Sequence, residues 1–196
     1  MRWSIDSWRV WLFRGLVAVA AGLMVASFIM PWWTADINIP GQATLLDAIR
    51  IYGHGLQHNL SELREYIAAD ETPFYQTVLA WAYIAASAGL ILFSTWLKGK
   101  KGRWLPGGIG LIYIAYAAIA AFVVIASRFR EVGLSLGGTG FSLQGWNSFI
   151  SVGEVAEIDM YSTLRFGYYL AYAAGGMCIV LALLRDKITG KPKAAV

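Results

Sequence analysis

Residues 15–33 read GLVAVAAGLMVASFIMPWW, 19 positions without a charged side chain, and this run decides the class of the molecule. At about 1.5 Å per helical residue it reaches roughly 30 Å, the thickness of a hydrocarbon core. Three more charge-free runs follow, 75–97, 104–127 and 166–184, of 23, 24 and 19 residues. Inside a bilayer the backbone must satisfy its own hydrogen bonds, so each run reads as a helix. The expectation is an all-α integral membrane protein, a four-transmembrane-helix bundle. Its parts are an interfacial N-terminus at 1–14 carrying Trp3, Trp8 and Trp11, spans at 15–33, 75–97, 104–127 and 166–184, outer loops at 34–74 and 128–165, an inner turn at 98–103, and a tail at 185–196. The first run also has the makings of a cleaved signal peptide, with a basic start and Val25-Ala26-Ser27 resembling a cleavage site; retention of the helix is the expectation.

The chain has 196 residues, 58% hydrophobic and 14% charged, with a mean hydropathy of +0.54. Its single cysteine, Cys178, excludes an intrachain disulfide and any cysteine cluster. The net charge of +4 resolves once placed along the chain: 11 of the 16 Lys and Arg lie at 2–14, 98–103 and 185–193, giving that side about +9 against −5 opposite. By the positive-inside rule the basic side, with both termini, is cytoplasmic. The charge is a topology signal and argues against nucleic-acid binding. Trp96 and Trp104 bracket the inner turn, while Trp32, Trp33, Phe74 and Tyr75 mark the outer boundary.

Both outer loops open with alternating apolar and polar residues, Ile37-Asn38-Ile39-Pro40-Gly41 and Leu134-Ser135-Leu136-Gly137-Gly138, offset by 97 positions. At that offset Leu46, Asp47, Ala48, Ile49 and Tyr52 fall against Leu143, Gln144, Gly145, Trp146 and Phe149, which suggests a duplicated pair of helices. The period-2 stretches at 34–39 and 132–136, with Gly140 to Leu143, predict short strands and a small extracytoplasmic β-sheet. Four helices under a small outer sheet resemble the claudin-like tetraspan layout, Trp32 and Trp33 standing where that family keeps aromatic residues after its first helix. The family's paired loop cysteines are absent here, so the resemblance is one of layout and carries no functional residue across.

Thr44-Leu45-Leu46-Asp47 has capping-box spacing. Beyond it Leu45, Ile49, Tyr52, Leu56, Leu60, Leu63 and Ile67 recur at steps of three and four, which predicts an amphipathic outer helix over 44–68, with Gly53 and Gly55 able to bend it. That stripe, with Trp32, Trp33 and Trp146, supplies the candidate partner contacts. The opposite face would carry His54 and His58 at i and i+4, with Asp47 and Glu65 one heptad away on either side. Two imidazoles on adjacent turns and two carboxylates are ligand types a divalent metal takes; a solvated or partner-facing polar surface is the plainer reading of the same residues. No other cofactor is expected.

The four runs hold no Asp, Glu, Lys, Arg or His, which disfavours ion-coupled transport and proton pumping. Cys178 has no histidine at its depth, and Gly137-Gly138-Thr139-Gly140 lacks the lysine of a phosphate loop. Small residues at four-residue steps (Ala18, Gly22, Ala26; Ala85, Gly89; Gly167, Ala171, Gly175) suit close helix packing or a second subunit. Tyr168, Tyr169 and Tyr172 either pack the core or border a lipid or quinone tail. The leading expectation is a non-catalytic membrane subunit that scaffolds or docks to a larger membrane assembly, or self-associates, with the bilayer as its other partner. A metal site at His54 and His58 serving an enzyme or metal handler, and lipid or quinone handling between helices, are the alternatives.

Overall fold

The computed structural model describes residues 5–38, 44–58, 73–97, 99–120, 135–136, 142–150 and 157–190. Over these the chain runs α1 (Ile5–Ile29), β1 (Pro31–Asn38), β2 (Leu45–Tyr52), β3 (Gly55–His58), α2 (Phe74–Phe93), α3 (Gly99–Ile119), β4 (Ser135–Leu136), β5 (Gly145–Ile150), β6 (Glu157–Leu164) and α4 (Phe166–Thr189). The six strands form one antiparallel sheet in the order β3-β2-β1-β6-β5-β4. Each half of the chain contributes three consecutive strands, and the halves meet where β1 pairs with β6, from Trp33 opposite Leu164 to Asn38 opposite Asp159.

This architecture overturns the all-α class: the protein is mixed, a wide sheet set on helices. Three helices are long and apolar enough to cross a membrane, Trp8–Ile29, Phe74–Phe93 and Phe166–Thr189. The expected four-span bundle, and with it the claudin-like layout, is not matched. Helix α3 opens at Gly99, so Lys100, Lys101 and Arg103 are helical residues and not part of the expected inner turn. Of the expected run 104–127, the part beyond Ala120 lies outside the described residues.

The amphipathic helix over 44–68 is likewise corrected. Its first half is a hairpin, with β2 and β3 paired from Ile49 opposite His58 to Tyr52 opposite Gly55 and a turn at Gly53-His54. Thr44 and Asp47 do not cap a helix. Asp47 instead sits in a bulge of β2 at φ 49, a left-handed conformation that Asp tolerates better than most residues, and its amide donates to Asp36 Oδ1 at 2.6 Å. Leu60, Leu63, Glu65 and Ile67 lie outside the described residues.

Proline explains the junction between helix and sheet. The residue before a proline is pushed out of the helical region, and α1 ends at Ile29, one residue short of Met30-Pro31. At a strand's first position the missing proline amide removes no interior ladder bond. On the other side α4 begins directly after Arg165, whose amide donates to Trp32 O at 2.9 Å. The two central strands are thus continuous with the two helices on which the sheet stands.

One sheet face, carrying Trp33, Ala35, Ile37, Ile49, Ile51 and Met160, is buried and merges with Phe13, Val17, Met24, Phe28, Tyr113 and Cys178 of the helices in a single core. The α1 helix is unbroken through Val25-Ala26-Ser27, and Ser27 is buried. Of the small-residue faces, the one on α4 is used inside the chain. A Cβ on Gly175 would stand 2.8 Å from Gly110 O of α3, and one on Gly167 would stand 2.6 Å from Met30 O. Gly22 and Gly89 have nothing within 4 Å.

Candidate functional site

The sheet's second face carries an exposed aromatic group. Trp146 of β5 stands directly opposite Tyr161 of β6, their ring centroids 5.2 Å apart. Trp146 is 67% exposed and Tyr161 39%. Asp36 of β1 is the next residue across from Tyr161. Cross-strand aromatic pairs support one another in place, so this pair is a fixed feature of the sheet.

Rigidity beneath it comes from a buried polar knot. Asn147 donates through Nδ2 to Ser162 Oγ at 2.8 Å and to Ser142 O at 2.9 Å, and accepts the Ser142 amide on Oδ1 at 2.7 Å. Ser162 Oγ lies 3.0 Å from Ser142 O. A buried polar network with its partners met specifies one arrangement, and this one fixes the entry to β5, one residue from Trp146.

Beside the aromatic pair runs a charged network. Arg165 donates through Nη2 to Asp47 Oδ1 at 2.8 Å and through Nε to Thr34 Oγ1 at 2.7 Å, while Arg50 reaches Asp47 Oδ2 at 3.4 Å. Arg165 therefore ties the start of α4 to β1 and to the β2 bulge. The aromatic pair together with partly exposed arginine is the composition found where protein interfaces concentrate their binding energy.

His54 is placed elsewhere. At the tip of the first hairpin it points into the helices, ringed by Phe28 at 5.6 Å, Tyr52 at 5.1 Å and Trp81 at 5.3 Å between centroids. Its Nδ1 lies 3.2 Å from Phe28 O; a carbonyl only accepts, so Nδ1 carries the proton and Nε2 keeps its lone pair in the neutral ring. This bond serves the end of α1, whose last carbonyls have no helical partner. Trp32 Nε1 donates to Ser27 O at 2.7 Å in the same way, and one turn further in the Tyr113 hydroxyl adds a bond to Met24 O at 3.1 Å.

The spacing that would set His54 and His58 on adjacent helical turns does not exist, since one is in a turn and the other at the end of β3. Asp47 is engaged by Arg165, and Glu65 lies outside the described residues. Among the described residues, no group of three His, Cys, Asp or Glu is placed to hold a metal. The expected partner contacts divide sharply. Trp32, Trp33 and Ile49 are buried within the chain, Leu45, Tyr52 and Leu56 are half-buried, and Trp146 is open. Nothing in the sequence alone marks Tyr161 and Arg165 as site residues, although Glu157-Ile158-Asp159-Met160 at the start of β6 alternates polar and apolar residues.

No protein-family model matches this chain, and no curated protein matches it. Its function is therefore read from its own geometry.

Proposed function

We propose that the protein is a non-catalytic, multi-pass membrane subunit that uses the open face of its sheet to dock onto, and hold together, a larger membrane assembly. One observation carries the reading: Trp146 and Tyr161 are held as an exposed cross-strand pair on the sheet that Arg165 ties to the start of α4. A large aromatic kept in water gains by being covered, and a fixed pair is covered at low entropic cost. The helices support the membrane placement by length and composition, and the charge asymmetry supports cytoplasmic termini with the sheet on the opposite side.

The occupant is another membrane protein's extramembrane segment. Native mass spectrometry of the gently solubilised protein from its own host tests this, comparing wild type with Trp146→Ala. The expected result is a defined partner subunit that the variant loses. A clean monomer from wild type, or a partner retained unchanged by Trp146→Ala, overturns the proposal; a homo-oligomer would replace the foreign partner with a second copy. The alternative of a divalent metal at His54 and His58 has one supporting feature, the free Nε2 of a ring oriented through Nδ1, an arrangement also found in metal-ligating histidines. Lipid or quinone handling at the tyrosines is supported by Tyr169, which is exposed beside the hydroxyl pair Tyr168–Tyr172 at 3.0 Å.

A further inference from the structure

The end of the bundle away from the sheet gathers three arginines from three different helices around one short turn. Arg14 of α1 places its guanidinium 5.5 Å from the Trp96 ring and 5.2 Å from the Trp11 ring. Arg185 of α4 donates through Nη2 to Leu97 O at 2.7 Å. Arg103 of α3 pairs with Asp186 at 2.9 Å. Among the described side chains of this end, Asp186 is the one carboxylate.

The donors outnumber the acceptors. Arg14 Nε, Arg103 Nε and Arg185 Nη1 are each buried without a hydrogen-bond partner. Native proteins seldom leave such groups unpaired, and a shortfall repeated on three guanidiniums at one place points to an acceptor supplied from outside the chain. The guanidinium fork matches the geometry of a phosphate, which accepts from several donors at once.

The surroundings select the kind of phosphate. Trp11 and Trp96 are 59% and 62% exposed and stand over Arg14, and Trp104, 53% exposed, over Arg103, at the end of helices long enough to cross a membrane. Tryptophan at that position marks the headgroup layer. Leading away from Trp96 along α2, Leu90 and Phe93 are open to the outside and give acyl chains a track. We propose that Arg14, Arg103 and Arg185 hold the phosphodiester headgroup of one anionic phospholipid, with its chains lying along α2. Basic pockets between membrane helices bind headgroups in this way.

The test uses the full chain in phosphatidylcholine nanodiscs doped with phosphatidylglycerol, released and examined by native mass spectrometry. Wild type is expected to retain one phosphatidylglycerol in preference to phosphatidylcholine. Arg14→Gln with Arg185→Gln should weaken that retention about tenfold or more, since charged hydrogen bonds are lost at both ends of the cradle. Arg14→Lys keeps the charge and loses the fork, so it should fall between, and it guards against a double variant that fails to fold. Arg50→Gln, on the sheet, should retain the lipid as wild type does. Equal retention of the two lipids by wild type, or no loss in the double variant, overturns the proposal. Displacement of phosphatidylglycerol by inorganic phosphate alone would overturn the lipid assignment in favour of a free anion.

Discussion

The Tyr116 hydroxyl donates to the carbonyl of Gly53 at 2.6 Å, so the third helix holds the tip of the first hairpin. Gly53 is there because nothing larger fits: a Cβ would stand 2.5 Å from the Phe28 ring and 3.0 Å from Trp32. Tyr116→Phe removes one bond and leaves a carbonyl unpaired, which should cost about 1–2 kcal/mol. Gly53→Ala should cost more, because two aromatic rings at the end of α1 must shift. Thermal unfolding of both variants in mild detergent checks the order; a Gly53→Ala protein as stable as wild type would mean that the hairpin tip is not seated on α1.

The close passage of α3 against α4 gives a second contrast. Gly175→Ala would bring a Cβ to 2.6 Å from Ile114 Cγ1 and 2.8 Å from the Gly110 carbonyl oxygen, and overpacking of this kind costs about 1–3 kcal/mol. Gly22→Ala has open space, and the helix propensity of alanine should leave it neutral or stabilising by up to about 1 kcal/mol. Opposite signs for two glycine-to-alanine changes in transmembrane-length helices are the expected outcome of the same unfolding measurement. If both destabilise equally, the Gly22 face is covered by something, which an oligomer-state measurement would reveal.

The helices were legible because a run free of charge reads as a helix at that length: α2 and α4 begin within one residue of the runs at 75–97 and 166–184, whereas α1 starts ten residues before the run at 15–33 and ends four before its close, Pro31, Trp32 and Trp33 belonging to β1. The hairpin at 45–58 was not, because its apolar residues satisfy two periods at once. Leu45, Ile49, Tyr52 and Leu56 fit a helical stripe, while Ile49 and Ile51 buried on either side of exposed Arg50 fit a strand. What decides between them is the pairing of β1 with both β2 and β6, a contact from Ile37 to Met160 across more than a hundred residues. Local pattern does not encode it. The same holds for the site: Trp146 drew attention as an outer aromatic, but its pairing with Tyr161 and the reach of Arg165 to Asp47 depend on strand register.

The Asp47–Arg165 contact should be weak in energy and strong in position. Both side chains are partly exposed, 35% and 41%, and exposed ion pairs are worth about 0.2–1 kcal/mol and fade with salt. A double-mutant cycle with Asp47→Asn and Arg165→Gln should give a coupling in that range at low ionic strength and a smaller one at high. Asn keeps the tolerance for the left-handed bulge, so the cycle reports the charge. A coupling several times larger, or one indifferent to salt, would place this pair in a drier setting than its exposure implies.

His54 separates the structural reading from the metal alternative. His54→Phe keeps a ring among Phe28, Tyr52 and Trp81 but leaves the Phe28 carbonyl without its donor, at a cost of about 1 kcal/mol; His54→Ala also loses the ring contacts and should fall by about 1–3 kcal/mol more. Chelator treatment should leave the wild-type melting temperature unchanged, because the ring's place is secured by three aromatic neighbours and one carbonyl. The opposite result has a distinct signature: a chelator-induced drop, restored by zinc and missing from His54→Ala and from His58→Ala, requires a bound ion. That pattern would assign Nε2 of His54 to a metal and move the functional reading from the sheet's open face to the hairpin tip.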